Sequence, residues 1–92
     1  MVRALERLEL VGIHPRPPFL LWDEAGWRQI PGEVVEVVKV KRGDGRDLYE
    51  GRIFDAESGT MVRPTPYRST LKKPLRRWWE LEAKVDPPEE LL

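Results

Sequence analysis

The side chains that could perform catalysis are few, and the sequence gives none of them a suitable partner. The only histidine, His14, stands directly before Pro15, and there is no cysteine. A serine nucleophile needs a base within hydrogen-bond reach, and neither Ser58 nor Ser69 has a second histidine to use. The chain also lacks a phosphate-binding glycine loop and the spacing of a known metal motif. We therefore expect no enzyme activity, no catalytic residue, no metal and no cofactor.

The strongest functional candidate is the basic segment Arg63–Trp79, which combines cations and aromatic rings and contains no acid. Clustered Lys and Arg neutralise phosphates, whereas unpaired bases stack on aromatic rings or guanidinium planes. The segment therefore predicts contact with single-stranded or structured nucleic acid, with the cations on the backbone and the rings on the bases. The predicted nucleic-acid-binding residues are Arg63, Tyr67, Arg68, Lys72, Lys73, Arg76, Arg77 and Trp78.

The same segment has interpretations that involve no nucleic acid. Trp78 could pack under the Pro64–Pro66 loop or lie in a dimer contact. Arg76 and Arg77 could instead pair with the acids at the C-terminus as an ion network. The alternative function is a protein–protein interaction or homodimerisation domain that uses the exposed tryptophan and an edge strand.

The elements that must position these residues are predicted to be strands. Turn signals recur every eight to twelve residues, a spacing typical of antiparallel all-β domains. The runs Phe19–Trp22 and Trp27–Ile30 flank one turn and predict a hairpin, and Glu33–Val40, with five valines, predicts a central strand. The predicted fold class is all-β or β-rich α+β. It is a single small antiparallel barrel or curled sheet of five to six strands, with a short helix as the alternative for residues 2–11.

The segment Leu75–Val85 fits two periodicities. With period two, Leu75 and Trp79 share one face and Trp78 points to the other. With period 3.6, Leu75 and Trp78 lie on one apolar stripe, and several residues of the segment favour helix. We expect the strand, with Trp79 in the core and Trp78 exposed beside Arg76, and the helix remains the alternative.

Three aromatic residues flank the first predicted hairpin, and we expect them to be structural. Phe19, Trp22 and Trp27 are predicted to form core and cross-strand pairs. A second binding surface on this hairpin is the alternative.

The domain is expected to span residues 1–86, because Asp86 precedes two prolines. Residues 87–92 are then a flexible acidic C-terminal tail, as chain ends usually are. The alternative is a short acidic peptide that docks on a partner or on the basic segment of the same chain.

The composition limits the class of protein more than it indicates a ligand. A chain of 92 residues supports one small core. Its 16 basic and 16 acidic residues balance, but residues 60–79 hold six bases and no acid, and residues 80–92 hold five acids and one base. The absence of Asn, with Gln29 the only Gln, indicates a thermophilic source. With no cysteine and no apolar run longer than four residues, we expect a cytoplasmic protein that does not bind membranes.

Two segments carry a family resemblance. Pro18–Ile30, continuing into Glu33–Val38, resembles the opening hairpin of an uncharacterised small β domain. Bacterial Y-family translesion DNA polymerases and their accessory proteins are accompanied by that domain. Arg77–Ala83 resembles its tryptophan-bearing strand. The resemblance implies a role near DNA repair and no intrinsic catalysis, and it assigns no functional residues.

Overall fold

The computed structural model describes residues 7–42, 45 and 47–92. These residues form six strands and one helix. The elements are β1 (Arg7–Arg16), β2 (Phe19–Asp23), β3 (Gly26–Ile30), β4 (Glu33–Lys41), β5 (Asp47–Asp55), β6 (Tyr67–Ser69) and α1 (Lys72–Glu82), followed by a 3-10 turn at Glu89–Leu91.

Two antiparallel sheets carry the architecture. The larger sheet has the order β1-β4-β5-β6, and β2 and β3 form a separate hairpin. The valine-rich strand β4 lies between β1 and β5, so the predicted central strand is confirmed. The prediction of a small antiparallel, β-rich α+β fold is confirmed as well, and in the part of the chain that the structure describes the sheets do not close into a barrel.

The core lies between one face of the larger sheet and the chain that follows it. Because side chains alternate along a strand, β4 and β5 present every second residue to this face. Helix α1 and the C-terminal segment cover those residues. The core consists of Val35, Val37, Tyr49, Ile53, Leu75, Trp79, Ala83 and Leu91.

Helix α1 corrects the expectation of a strand at Leu75–Val85. Leu75, Trp79 and Ala83 are all buried, and their spacing of four residues places them on one side of a helix. A strand would also have placed these three residues on one face, but Arg77 and Leu81 would have shared that face, and both are exposed. The helical reading of residues 2–11 is likewise wrong from Arg7 onward, where β1 begins, and residues 1–6 lie outside the described part.

The hairpin confirms one expectation and corrects another. Trp22 lies opposite Trp27, and their rings meet edge to face with centroids 5.2 Å apart. The cross-strand pair is thus as predicted, but neither these rings nor Phe19 belong to the core, since Trp22 is 64% exposed and Trp27 68%. The hairpin extends the paired strands β1 and β4 beyond the C-terminal end of α1. The helix therefore does not cover it.

The C-terminal segment is packed and is not a frayed tail. Leu91 is 1% exposed and belongs to the core, and Glu90 pairs with Lys39 at 3.2 Å. The side chain of Pro88 lies on Gly12 of β1, where an added Cβ atom would come within 2.5 Å of Pro88 Cγ. The expectation of a flexible acidic tail at residues 87–92 is therefore wrong, because an apolar side chain near its end fills the gap that α1 leaves over β1 and β4.

Candidate nucleic-acid interface

The predicted basic segment is divided among three elements. Arg63 lies in the loop before β6, Arg68 lies on β6, and the other four cations belong to α1. The helix brings the cations of its first two turns together, whereas Arg63 and Arg68 point to other partners.

Arg63 and Arg68 are paired with carboxylates of the same chain. Arg63 Nη1 donates to Glu82 Oε1 at 2.8 Å, and this carboxylate raises the pKa of the guanidinium. Arg68 Nε lies 2.9 Å from an oxygen of Glu50, whose carboxylate also accepts two hydrogen bonds from Arg52. The prediction that both arginines are available to phosphates is not supported by these contacts, because each would have to leave an acid first.

The remaining four cations form the basic patch, which is Lys72, Lys73, Arg76 and Arg77. Lys73, Arg76 and Arg77 are spaced three and four residues apart, so they share one side of α1. Together with Glu80 they line a shallow depression on its outer surface. Among the described residues, no carboxylate lies within ion-pair distance of any of the four.

Within the described residues, the acids near the chain end, Glu89 and Glu90, form no ion pair with the basic patch, although Glu80 of α1 borders it. Glu90 pairs with Lys39 on β4, and Glu82 is held by Arg63. The alternative in which Arg76 and Arg77 are neutralised by the acidic end of the chain is therefore not what the structure shows.

The position of the patch on the helix adds to its positive potential. The first turn of α1 contains no acid, and the N-cap residue, Leu71, provides no side-chain hydrogen bond. The N-terminus of a helix carries a partial positive charge from its unpaired N–H groups, so cations there are unfavourable for helix stability. Helix stability therefore does not explain why Lys72 and Lys73 are basic.

The rings of the predicted interface are only partly accessible. Trp78 lies flat over Gly51 of β5, where an added Cβ atom would be 2.6 Å from the indole. Tyr67 lies beside it with nearly parallel rings, 6.1 Å between centroids, and is 39% exposed. Trp78 is half-buried, which corrects the expectation of an exposed ring beside Arg76. The sequence around Trp78 does not indicate this burial, because Gly51, on which the indole packs, is distant along the chain.

A cavity of about 260 Å³ opens beside these two rings. Its walls come from the edge of β5 and from the loop before β6, and Arg63 lies among the lining residues. The sequence did not indicate this cavity, because Gly51, Met61, Thr65 and Pro66 carry no chemical signal of their own. Its lining can accommodate a flat or apolar group, with no acid among the lining residues.

Other kinds of site are not found in the described part of the chain. Residues 7–42, 45 and 47–92 contain no cluster of three or more His, Asp or Glu side chains placed to hold a metal ion. In the same residues, helix α1 is too short and too polar to cross a bilayer. The outstanding electrostatic feature in this part of the chain is thus the basic patch.

Comparison of the chain with protein-family models, with curated proteins and with solved structures finds no match. The resemblance of the hairpin and of Arg77–Ala83 to a polymerase-associated β domain therefore stays a prediction.

Proposed function

We propose that this protein is a non-catalytic binding module that contacts nucleic acid through the basic patch on α1. The observation that carries the proposal is the grouping of four cations, without a carboxylate partner in the described residues, on the first two turns of one helix. Seven other cations of the described chain each have a carboxylate within 4.0 Å, so unpaired charge is concentrated here.

The chemistry of the patch favours a polymer of phosphates over a single anion. An 11-residue helix is about 16 Å long, and the patch occupies about half of it around an open, shallow depression. Such a surface does not enclose a small anion, but it can follow several consecutive phosphates of a strand. Arg76 and Arg77 add guanidinium groups, which bind phosphate oxygens in pairs.

Tyr67 supplies the aromatic part of the proposed interface. Its ring is exposed on β6 and is backed by Trp78, which is itself fixed over Gly51. A ring held in this way loses little freedom when an unpaired base stacks on it. Because such bases are available in single strands and loops, single-stranded or structured nucleic acid is the proposed ligand.

The experiment is a fluorescence anisotropy titration of a labelled single-stranded oligonucleotide of about 12 nucleotides, within the range of site sizes for single-strand binders. Lys73→Gln/Arg77→Gln removes two exposed cations of the patch. Arg42→Gln/Lys84→Gln removes one exposed Arg and one exposed Lys elsewhere and serves as the matched control, because both variants change the net charge by the same amount and neither control cation has a carboxylate within 4.0 Å among the described residues.

We expect the patch variant to bind at least about tenfold more weakly than wild type at low salt, and the control to bind within about twofold. Equal losses in the two variants would mean that only net charge matters, and the proposed interface would then be wrong. No binding by wild type at low salt would reject the function itself.

A further inference from the structure

The most unusual exposed surface of the molecule is on the hairpin formed by β2 and β3. One face of this hairpin, here called the Trp face, is built from Leu20 and Trp22 on β2 and from Trp27 and Gln29 on β3. The three apolar side chains are each between 64% and 68% exposed. Two tryptophans exposed to this extent on adjacent strands are costly in water, since an apolar surface of this kind is stabilised by burial.

The turn after β5 borders this face only at Gln29, where Ala56 and Glu57 line the same cavity, and Leu20, Trp22 and Trp27 stay exposed. β2 and β3 pack on each other, and neither makes substantial packing with another strand or with α1. The hairpin register continues that of β1 and β4, because Arg16 lies opposite Glu33 and Phe19, three residues later, lies opposite Ile30, three residues earlier. The ribbon therefore projects past the core, which agrees with a longest dimension of 57 Å for this small protein.

We propose that the Trp face is a self-association surface, and that two copies of this chain pack their hairpins together through it. Two properties favour a second copy over a different partner: the charge of the face and the charge of the chain.

The charge on the Trp face is zero, which matches a copy of itself. The charged residues of the hairpin are on the opposite face or in the turn: Asp23 and Arg28 pair with each other at 3.6 Å, and Glu24 lies in the turn. A nucleic acid or another charged ligand finds no counter-charge on this face. The formal net charge of the whole chain is also zero, so two copies approach without net repulsion.

The symmetry and the area of the contact are also compatible with a dimer. A two-fold contact uses the same patch on both copies, so Trp22 and Trp27 of one copy meet the same apolar side chains of the other. With about 250 Å² on a full tryptophan side chain and somewhat less on leucine, the exposed part of the Trp face amounts to about 450 Å². Two copies would bury about 900 Å², slightly below the roughly 1,000 Å² from which specific interfaces start, so we expect a weak dimer.

Sedimentation equilibrium from about 1 μM to about 500 μM tests this proposal, because the range brackets the affinity expected of so small an interface. Wild type should change from monomer to dimer across the range. Its tryptophan emission should shift to the blue over the same concentrations, as the exposed indoles become buried. Trp22→Ser/Trp27→Ser should associate at least about tenfold more weakly, since truncated tryptophans dominate interface losses.

Two matched controls separate the Trp face from general apolar exposure. Leu21→Ser changes the opposite face of the same hairpin, and Leu81→Ser removes an apolar side chain that is 63% exposed on α1. Both should dimerise as wild type does. Leu20→Lys leaves both tryptophans in place and sets two like charges against each other in the dimer. It should therefore weaken association most at low salt.

If wild type stays monomeric over the whole range, the proposal is wrong. That is also the result expected if the hairpin binds only a different protein. Dimerisation that survives in Trp22→Ser/Trp27→Ser, or that is lost equally in Leu21→Ser, also overturns it. Circular dichroism of each variant checks the fold, and if the double tryptophan variant does not fold, Leu20→Lys decides the question. Because the hairpin stands apart from α1, these results are independent of the oligonucleotide titration.

Discussion

Reversing the charge of Lys72 and Lys73 provides a sharp test of the electrostatics of α1. Both residues lie in the first turn of the helix, which contains no acid and begins without a side-chain cap. Replacing both by Glu removes cations from the positive end of the helix and adds anions there. The change therefore acts on stability in the opposite direction to its effect on nucleic-acid binding.

The magnitude follows from the position of the two side chains. A charge in the first turn is worth about 0.3–1 kcal/mol, and reversal both removes an unfavourable contribution and adds a favourable one. Lys72 and Lys73 also stand four residues before Arg76 and Arg77, so two like-charge neighbours become opposite pairs worth about 0.2–0.5 kcal/mol each. Because these side chains are exposed and screened, we expect the double variant to gain about 1–2 kcal/mol of unfolding free energy in total.

Thermal unfolding followed by circular dichroism measures this gain. For a domain of this size, 1 kcal/mol corresponds to about 4–8 °C, so the melting temperature of Lys72→Glu/Lys73→Glu should rise by about 4–16 °C at low salt and by less at high salt. Lys84→Glu is the control of opposite sign, because it places an anion just beyond the negative end of α1 and should destabilise. A melting temperature that is unchanged or lower in the double variant would show that the two lysines are already neutralised, and the account of the patch would be refuted.

Three further predictions concern packing and pH. Gly51→Ala should cost about 1–3 kcal/mol of unfolding free energy in urea titrations, because the new methyl group meets the indole of Trp78, and a smaller loss in the Trp78→Leu background would confirm that cause. Leu91→Ala should cost about 2–5 kcal/mol by the same assay, whereas a frayed chain end would make it neutral. Hydrogen bonds from the backbone N–H and hydroxyl of Ser58 lower the pKa of Asp55. The stability that Asp55 contributes should therefore be present above pH 4 and be lost as pH falls through the lowered pKa. The stability gap between wild type and Asp55→Asn should close once the pH is below the lowered pKa, and a gap that persists in strong acid would contradict this assignment.

Much of the sheet could be predicted from the sequence because its signals are local. The turn residues between Trp22 and Trp27 fix the hairpin, and the valines of Glu33–Val40 identify a central strand. In each case, the residues that decide the structure are neighbours along the chain. A short stretch of sequence is therefore enough to predict the hairpin and the central strand.

The helix and the chain end could not be predicted in this way, because distant residues decide them. Leu75–Val85 fits a strand and a helix about equally, and the helix is favoured by what it covers: Gly51 accepts the indole of Trp78, and the inner face of β4 and β5 accepts Trp79. Leu91 is buried because α1 leaves part of β1 and β4 uncovered. The sequence near Trp78 does not reveal the space over Gly51, and the sequence near Leu91 does not reveal the uncovered part of β1 and β4.

The sequence predicts where the candidate site lies, but it does not predict which of the six cations form it. The concentration of cations near α1 is a property of the sequence, and the helix keeps four of them together. Arg63 pairs with Glu82 by a contact between a loop and the end of α1, and Arg68 pairs with Glu50 across the neighbouring strands β5 and β6; in each case the two residues are about 20 positions apart. Charge counts along the chain cannot separate paired from unpaired cations. The exposure of Trp22 and Trp27 could not be predicted either, because it depends on where α1 ends: the helix is too short to cover the hairpin.

The salt dependence of oligonucleotide binding tests the central claim most directly. If the four cations of the basic patch each neutralise one phosphate of a single strand, the logarithm of the binding constant should fall against the logarithm of salt concentration with a slope of about −3. Lys73→Gln/Arg77→Gln should reduce the slope to about −1.4 and weaken binding by about 50-fold at 50 mM salt. A slope near zero, or a slope that the variant leaves unchanged, would contradict the proposed interface.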